Sequence, residues 1–182
     1  MDRTEKLVRR AQQGEKDAFV ELMEQQKLSM SRAALAILHR EEDAADAISE
    51  TVLTAFCKLC DLRQPKYFKT WLTRILIYNC YHILRQRQGL VSLDAAPENA
   101  WGEDRTREYD NVIDIQSGLE RLGENDRLIL TLFYLDDLPI KEIAGLLHIK
   151  ESAAKVRLSR SRERFRKVYR EKEDICCEAG RK

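Results

Sequence analysis

The carboxy-terminal part of the chain contains a dense basic stretch, KVRLSRSRERFRKVYR at residues 155–170. Residues 150–172 hold ten cations against three acids, although the whole chain has a formal net charge of only +1. Such a local excess is the electrostatic signature of a surface that binds phosphates. A solvated helix whose cations keep their charged heads in water would also explain the charge. The neighbouring segments therefore have to distinguish the two interpretations.

A second segment, YFKTWLTRILIYNCYHILRQRQ at residues 67–88, interleaves cations with aromatic rings. One face of this predicted helix, on the side away from Trp71, carries Arg74, Tyr78, Tyr81 and Arg85. Cations can follow the backbone of single-stranded DNA, while rings can stack on its bases. The preceding loop, residues 63–69, is well placed to form a pocket for a base lifted out of the stack.

A third segment, DAADAISETVLTAFCKL at residues 43–59, carries acids one helical turn apart. We predict that Asp43, Asp46 and Glu50 face away from the apolar stripe of this helix and form an exposed acidic ridge. A ridge of this kind suits a partner surface rich in arginine. An ordinary solvated helix face has the same pattern.

The cysteines and histidines do not predict a metal site. Cys57 and Cys60 form a CxxC pair, which supplies only two of the four ligands of a structural zinc. The pair continues a helical apolar stripe, so we predict ordinary buried or half-buried thiols. Cys176 and Cys177 lie in a polar tail and receive no function. The three histidines are scattered and no HExxH motif occurs, so we expect no cofactor and no catalysis.

The amino-acid composition limits which class of protein the chain can belong to. The chain of 182 residues is 43% hydrophobic and 35% charged, with only 7 Gly and 3 Pro, which favours a globular protein rich in helix. No apolar run approaches the roughly 20 residues that span a bilayer. The amino terminus, MDRTEKLVRRAQQG, lacks the apolar stretch of a signal peptide. An odd number of cysteines fits a reducing compartment, so we expect a cytoplasmic protein.

Four helices are predicted before residue 89. The first lies between Thr4 and Gly14, the second starts at Asp17, the third covers about 41–59 and the fourth about 67–88. The apolar stripe of the third helix is predicted to be Ala45, Ile48, Val52, Phe56 and Leu59. The inner face of the fourth is predicted to be Phe68, Trp71, Leu72, Ile75, Asn79 and Ile83.

The composition then changes. Residues 89–111 contain Gly, Pro, Asn and six acids against two arginines, without a sustained period, and we predict a flexible acidic linker. Four more helical segments start near Val112, Glu124, Pro139 and Glu151. The sequence thus predicts an all-α protein with two small helical domains, residues 1–88 and 112–172, followed by a tail at 173–182.

The basic stretch follows a short helix in LPIKEIAGLLHIKESAAKVRLSRSRERFRK. The short helix is predicted to turn inward Ile140, Ile143, Ala144 and Leu147. A turn at 148–150 leads into a long helix whose inner face is predicted to be Ala154, Leu158, Ser161, Phe165 and Val168. Small Ala144 lets the two helices cross closely, as a helix-turn-helix requires.

These residues resemble the extracytoplasmic-function (ECF) group of bacterial sigma factors. The segments LERLGENDRLILTLFYLDDLPIKEIAGLLHI and VRLSRSRERF resemble region 4 of that family, which reads the −35 promoter element. His148 stands where relatives commonly have a turn glycine. The resemblance implies base contacts from Lys155, Val156, Ser159 and Arg160. It also carries over Arg162, and from the charge of the stretch we predict that Arg157, Arg162, Arg164 and Lys167 mostly hold phosphates.

The amino-terminal half resembles region 2, so the match covers nearly the whole chain. Residues 43–59 resemble region 2.2, which implies that core RNA polymerase is bound by Asp43, Asp46 and Glu50. Residues 67–88 resemble regions 2.3 and 2.4, which open the −10 element. With the loop before them, they imply −10 contacts from Lys66, Lys69, Arg74, Tyr78, Asn79, Tyr81 and Arg85.

The resemblance implies an alternative sigma factor that binds core RNA polymerase and directs initiation at promoters with particular −10 and −35 elements. Its expected partners are core polymerase, promoter DNA and a membrane-anchored anti-sigma factor. A free-standing helix-turn-helix regulator is the alternative, although it offers no reason for cations to alternate with tyrosines. A small helical nuclease would need clustered carboxylates or histidines around a metal, which the sequence lacks.

Overall fold

The computed structural model describes residues 3–87 and 115–179, and the side chains within 3–87 and 118–169. The chain divides into two compact units, Met1–Ala95 and Ala96–Lys182. The division falls inside the predicted linker, 89–111, which itself lies outside the described residues. Every regular element in the two described ranges is a helix, so the predicted all-α class is confirmed.

The described residues 3–87 of the first unit form four α-helices and two short 3₁₀ turns. The helices are α1 (Arg3–Gln12), α2 (Lys16–Leu38), α3 (Glu41–Lys58) and α4 (Phe68–Arg87), and the turns are Leu59–Asp61 and Pro65–Tyr67. Gly14 adopts a positive φ of 94°, which the chain needs in order to turn from α1 into α2. Pro65 opens the second 3₁₀ turn, where its missing N–H is not needed.

The inner face of α3 differs from the prediction. Its buried residues are small or polar, and the larger apolar side chains point elsewhere. Buried on α3 and directly after it are Asp43, Ala44, Ala47, Thr51, Ala55 and Leu59. Ile48 and Val52 are only half-buried, while Phe56 is 58% exposed. Small side chains let α3 pack closely against both α2 and α4, and that requirement overrides side-chain size as a guide to the inner face.

The inner face of α4 is rotated in a similar way. Its buried residues are Phe68, Leu72, Thr73, Leu76, Ile77, Cys80 and Tyr81. Phe68 and Leu72 were predicted correctly, whereas Trp71, Ile75, Asn79 and Ile83 are half-buried. The deepest side chains of this unit include Phe68, Leu22 and Ile37, each worth about 1.5–3 kcal/mol of burial.

The second unit is built around a helix-turn-helix. Its elements are α5 (Ile115–Glu120), α6 (Glu124–Leu130), a π-turn (Thr131–Leu135), α7 (Ile140–Leu146) and α8 (Glu151–Ala179). Gly118 of α5 lies against α8, where an added Cβ would come within 3.0 Å of the Phe165 ring. Helix α8 continues past Lys172, the predicted end of the domain.

Candidate nucleic-acid and partner interfaces

The turn between α7 and α8 has a glycine-type backbone occupied by a histidine. The N–H of Leu147 donates to the Ile143 carbonyl at 2.9 Å, and the N–H of Ile149 donates to the Ala144 carbonyl at 3.0 Å. The first bond is an ordinary helix bond, and the second is the 6→1 bond of a Schellman helix end, which places the residue before Ile149 in the left-handed region. That residue, His148, has φ 52°. The predicted turn is therefore present, with a non-glycine residue at its strained position.

The inner faces of the helix-turn-helix match the prediction closely. Ile143, Ala144 and Leu147 of the short-helix segment are buried, and so are Ala154, Leu158 and Ser161 of α8. Phe165 and Val168 are half-buried. On the other side of α8, the predicted base-reading residues Lys155, Val156, Ser159 and Arg160 are all exposed.

Lys155 already has an ionic partner at the start of α8. Its ammonium nitrogen lies 2.7 Å from a carboxylate oxygen of Glu151, one turn earlier. The hydrogen bond and charge of Lys155 lower the pKa of Glu151. Both side chains are largely in water, so the ion pair is weak and Lys155 can exchange Glu151 for a DNA group.

Arg164 is engaged inside the second unit. Its guanidinium forms a close ion pair with Oδ2 of Asp126 on α6, a side chain that is only 6% exposed. The Ser161 hydroxyl donates to the other oxygen, Oδ1, at 2.6 Å. A buried carboxylate needs such partners, so this ion pair helps to fix α8 against α6. The Arg164 side chain remains 58% exposed, and its phosphate contact stays a prediction.

Arg162 is also engaged within the unit. Its guanidinium carbon lies 5.5 Å from the ring centroid of Phe133 and 5.4 Å from that of Tyr134, within cation–π distance of both. Arg157 is half-buried, with one guanidinium nitrogen inaccessible to solvent. Of the cations predicted to hold phosphates, Lys167 is exposed, and neighbouring Arg166 is exposed as well.

The cation–aromatic face of α4 is present with a different membership. Arg74 and Tyr78 are exposed, Arg85 is half-buried, and Tyr81 is only 9% exposed. The prediction that Tyr81 stacks on bases is therefore wrong, because its ring belongs to the core. His82 takes its place: its ring stacks on Tyr78 with centroids 6.5 Å apart and planes 21° from parallel. His82 is not among the predicted residues, although its position four residues after Tyr78 is the signal that identifies it.

Asn79 connects α4 to α3 rather than facing solvent. Its Nδ2 donates to Oγ1 of Thr51 at 3.0 Å, and the Thr51 hydroxyl donates to the Ala47 carbonyl at 2.6 Å. In the loop before α4, Lys66 is exposed, with its ammonium 4.7 Å from the centroid of the Tyr67 ring, whereas Lys69 is half-buried. The predicted −10 residues thus divide into an exposed set and a structural set.

The predicted acidic ridge on α3 loses its first member. Asp43 is only 5% exposed, and its carboxylate forms a close ion pair with Arg87 at the end of α4. The rotated inner face of α3 explains this burial. Asp46 and Glu50 are exposed, and Leu53, which follows them at helical spacing, is 62% exposed. We call these three residues the outer face of α3.

Known protein families match the chain in the same order as these features. The sigma-70 region 2 model matches residues 22–89, and the sigma-70 region 4 model matches residues 113–165, together more than half of the chain. The chain is 24% identical over 180 residues to the ECF RNA polymerase sigma factor SigW of Bacillus subtilis (strain 168), which covers 91% of this chain and 96% of that protein. It is 26% identical over 156 residues to the ECF RNA polymerase sigma factor SigM of Mycobacterium tuberculosis (strain ATCC 25618 / H37Rv), covering 85% and 79%.

The chain belongs to the ECF sigma factors of the sigma-70 family. It is therefore an alternative sigma factor, acting in promoter-specific transcription initiation. Solved structures that share its fold include two sigma factors seen in complexes. CnrH, in complex with the cytosolic domain of CnrY, aligns with TM-score 0.64 and 20% identity over 92% of this chain and 97% of that one. RpoE of Bartonella quintana, in complex with the anti-sigma factor NepR, aligns with TM-score 0.61 and 18% identity over 82% and 97%.

The cysteines of this sigma factor are placed differently from the prediction. Cys57 and Cys60 are both exposed, so the expectation of buried or half-buried thiols is wrong for this pair; Cys80 is buried. Within the described residues, no group of three or more His, Cys, Asp or Glu side chains could hold a metal ion. In the same part of the chain, no helix is both long and apolar enough to cross a membrane.

The sigma factor also contains a buried cation that the sequence analysis missed. Arg127 on α6 is 4% exposed, and its Nη1 donates to the Glu120 carbonyl at 3.4 Å. Burial lowers its pKa to about 10, although the negative charges of Glu124 and Glu120 act to raise it. At neutral pH the guanidinium remains charged, and its contact with Glu120 makes it part of the packing between α5 and α6.

Proposed function

We propose that three separate surfaces of this sigma factor divide the work of initiation. The outer face of α3 binds core polymerase, the Arg74–Tyr78–His82 face of α4 opens the −10 element, and the exposed start of α8 reads the −35 element. The proposal is carried by the division of the α8 side chains into two sets. Lys155, Val156, Ser159 and Arg160 are exposed, whereas Arg162 and Arg164 contact the rest of their own unit.

Reading of the −35 element by α8 follows from how its exposed side chains can act. A helix of this kind lies in the major groove, with residues of its first turns at the base edges. Arg160 can make paired hydrogen bonds to guanine, and the Val156 side chain, 50% exposed, can contact a thymine methyl. Exposed Arg166 and Lys167 further along the helix contribute phosphate contacts, which add affinity without sequence information.

Melting of the −10 element by α4 follows from its cation–aromatic face. The Tyr78 side chain is 59% exposed and is steadied by the His82 ring stacked on it. A steadied ring offers a platform for an unpaired base, while Arg74 and the loop cation Lys66 hold the strand backbone. Buried Tyr81 and the inter-helix contact of Asn79 keep the platform rigid.

Docking to core polymerase follows from the outer face of α3. Asp46 and Glu50 present two exposed carboxylates one turn apart, and Leu53 adds an exposed apolar side chain. Carboxylates of this kind select a basic partner surface and steer its approach. Asp43 takes part indirectly, because its ion pair with Arg87 fixes the start of α3.

The proposal includes an anti-sigma factor as a regulatory partner, anchored in a membrane. Support comes from CnrH and RpoE, which share the fold and are seen with the cytosolic domain of CnrY and with the anti-sigma factor NepR. In this chain, the first unit leaves several large apolar side chains exposed: Val20, Leu28, Leu53 and Phe56. A partner that covers these side chains would bury their apolar surface and at the same time block the outer face of α3.

The experiment is run-off transcription with core polymerase on a genomic promoter library, with and without the sigma factor. The wild-type chain should start transcription at a defined set of promoters. The variant Asp46→Lys/Glu50→Lys should retain little polymerase in a pull-down, because reversed charges at a close basic surface cost several kcal/mol. The control Asp17→Lys/Glu24→Lys makes the same charge change at exposed positions on α2 and should bind normally.

Two results would contradict the proposal. If the chain binds promoter DNA but transcription starts do not depend on it, it acts as a free-standing regulator. If Asp46→Lys/Glu50→Lys retains polymerase as well as its control, the outer face of α3 is not the docking surface.

A further inference from the structure

Two exposed thiols lie three residues apart where α3 ends. Cys57 is in the last turn of α3 and Cys60 is in the 3₁₀ turn Leu59–Asp61 that follows. Both are exposed, unlike Cys80, which is fully buried on α4. Burial therefore does not protect the pair from small solutes, and the first condition for thiol chemistry is met.

Regular helical geometry places residues three apart at a distance that a disulfide can span. A rise of roughly 1.5–2.0 Å per residue in α and 3₁₀ geometry separates Cα atoms three residues apart by about 5–6 Å. Disulfides span Cα separations of about 4.4–6.8 Å. Lys58, between the two elements, has φ −108° and ψ 5°, so the chain bends between the two cysteines.

The turn that carries Cys60 is tied to α1. The Gln12 side-chain amide donates to the carbonyls of Leu59 and Leu62, each at 2.9 Å, and the Cys60 thiol lies 3.9 Å from the Gln12 carbonyl oxygen. Closing a bridge to Cys57 would pull Cys60 away from α1 and disturb both amide contacts. A disulfide here therefore changes the end of α3 rather than only its surface.

The pair also continues the stripe proposed to bind polymerase. Cys57 lies four residues after Leu53 and seven after Glu50, so all three occupy one side of α3. A change in the last turn of α3 thus reaches the neighbouring part of the outer face. This consequence rests on the proposed function, whereas formation of the disulfide does not.

We propose that Cys57 and Cys60 form a reversible disulfide under oxidation by hydrogen peroxide, and that the oxidised sigma factor binds core polymerase more weakly. In the first step, one thiolate attacks peroxide to give a sulfenic acid and hydroxide. The second thiol then displaces water from the sulfenic acid, so two thiols and one peroxide give one disulfide and two waters. An exposed bridge of this kind is readily reduced again by small dithiols.

The disulfide is tested on the full-length chain carrying Cys176→Ser/Cys177→Ser, which removes the other thiol pair. After mild peroxide treatment, the intact mass should fall by two hydrogens. In denaturant, which exposes the buried Cys80, maleimide should then label only one thiol instead of three. Dithiothreitol should restore both values. Cys57→Ser and Cys60→Ser should each abolish the loss of two hydrogens, and Cys80→Ser should preserve it. A bridge that persists without Cys57 or Cys60, or oxidation only to sulfinic or sulfonic acid, would overturn the proposal.

The effect on docking is tested by oxidising the sigma factor alone, removing peroxide and titrating it with core polymerase. We expect at least fivefold weaker binding after oxidation, full recovery with dithiothreitol, and no change on oxidation of Cys60→Ser. Equal binding of the bridged and reduced forms would overturn the regulatory half of the proposal. Failure of the reduced chain to bind polymerase would overturn the proposed function and, with it, the proposed regulation of polymerase binding. The mass measurement would still show whether the disulfide forms.

Discussion

Replacing Arg164 with alanine separates a structural role from a DNA-binding role on α8. The change leaves the Asp126 carboxylate, 6% exposed, with the Ser161 hydroxyl as its remaining described hydrogen-bond donor. Hydrogen bonds to charged groups contribute about 1.5–3 kcal/mol, and breaking a buried pair costs roughly 3–5 kcal/mol. The Arg164 side chain is 58% exposed, so solvent screening moves the expected loss toward the lower range, about 2 kcal/mol.

Hydrogen exchange measures this loss locally. A cost of about 2 kcal/mol corresponds to roughly 30-fold faster exchange of amides in α6 and α8 when they open with the second unit. In a thermal melt the same loss lowers the midpoint of that unit by roughly 10 °C. Arg160→Ala is the matched control, because it removes the same charge from an exposed position on the same helix.

The two variants should change different measurements. Arg160→Ala should leave exchange unchanged and relax the preference for particular −35 bases, whereas Arg164→Ala should speed exchange. Suppose instead that Arg164→Ala exchanges at the wild-type rate and flattens the salt dependence of DNA binding. Arg164 would then be a phosphate contact, and the role given to its ion pair would be refuted.

Two further predictions concern His148 and the tyrosines of α4. His148→Gly should raise the free energy of unfolding by up to about 1 kcal/mol in urea titrations. The strain of a left-handed non-glycine residue, about 1–2 kcal/mol, is relieved, and it exceeds the entropy cost of glycine, about 0.5–1 kcal/mol. A loss of stability would mean that the imidazole makes a contact that stabilises the fold by more than this strain. Tyr81→Ala should lower the free energy of unfolding of the first unit by roughly 3–5 kcal/mol, as loss of a buried aromatic ring does. Tyr78→Ala should unfold at the wild-type temperature but lose open-complex formation in permanganate footprinting of the promoter. Equal thermal unfolding curves for the two variants would contradict the assignment of inner and outer faces.

The sequence predicts the helices well because their ends have local causes. Gly14 and Pro65 mark chain reversals through their own backbone preferences, and the inner face of α7 follows from apolar residues at helical spacing. The face of α3 could not be predicted in the same way. Apolar size favours Phe56 for the inner face, whereas close packing of three helices selects alanine, and the resulting rotation buries Asp43.

The functional residues of α8 were predictable to the extent that they act locally. Exposure of Lys155, Val156 and Arg160 follows from the opposite, apolar side of their own helix. The contacts of Arg164 and Arg162 depend on Asp126 of α6 and on the aromatic rings of the π-turn, which precede them in the chain by many residues. No spacing rule within α8 contains that information, and a run of cations therefore suggested more free charge than the folded protein offers.

The alanine-lined inner face of α3 has a consequence for how this helix tolerates mutation. Ala44, Ala47 and Ala55 are buried where α3 packs on its neighbours, so we expect a larger side chain such as valine there to destabilise the unit by overpacking. Leu53, on the opposite side, can become polar at little cost to folding, whereas Phe56 packs edge-on against the buried Phe19 ring, with centroids 5.2 Å apart. In a mutational scan of α3, the exposed leucine would thus be a permissive position for folding, and the buried alanines would be the restrictive ones.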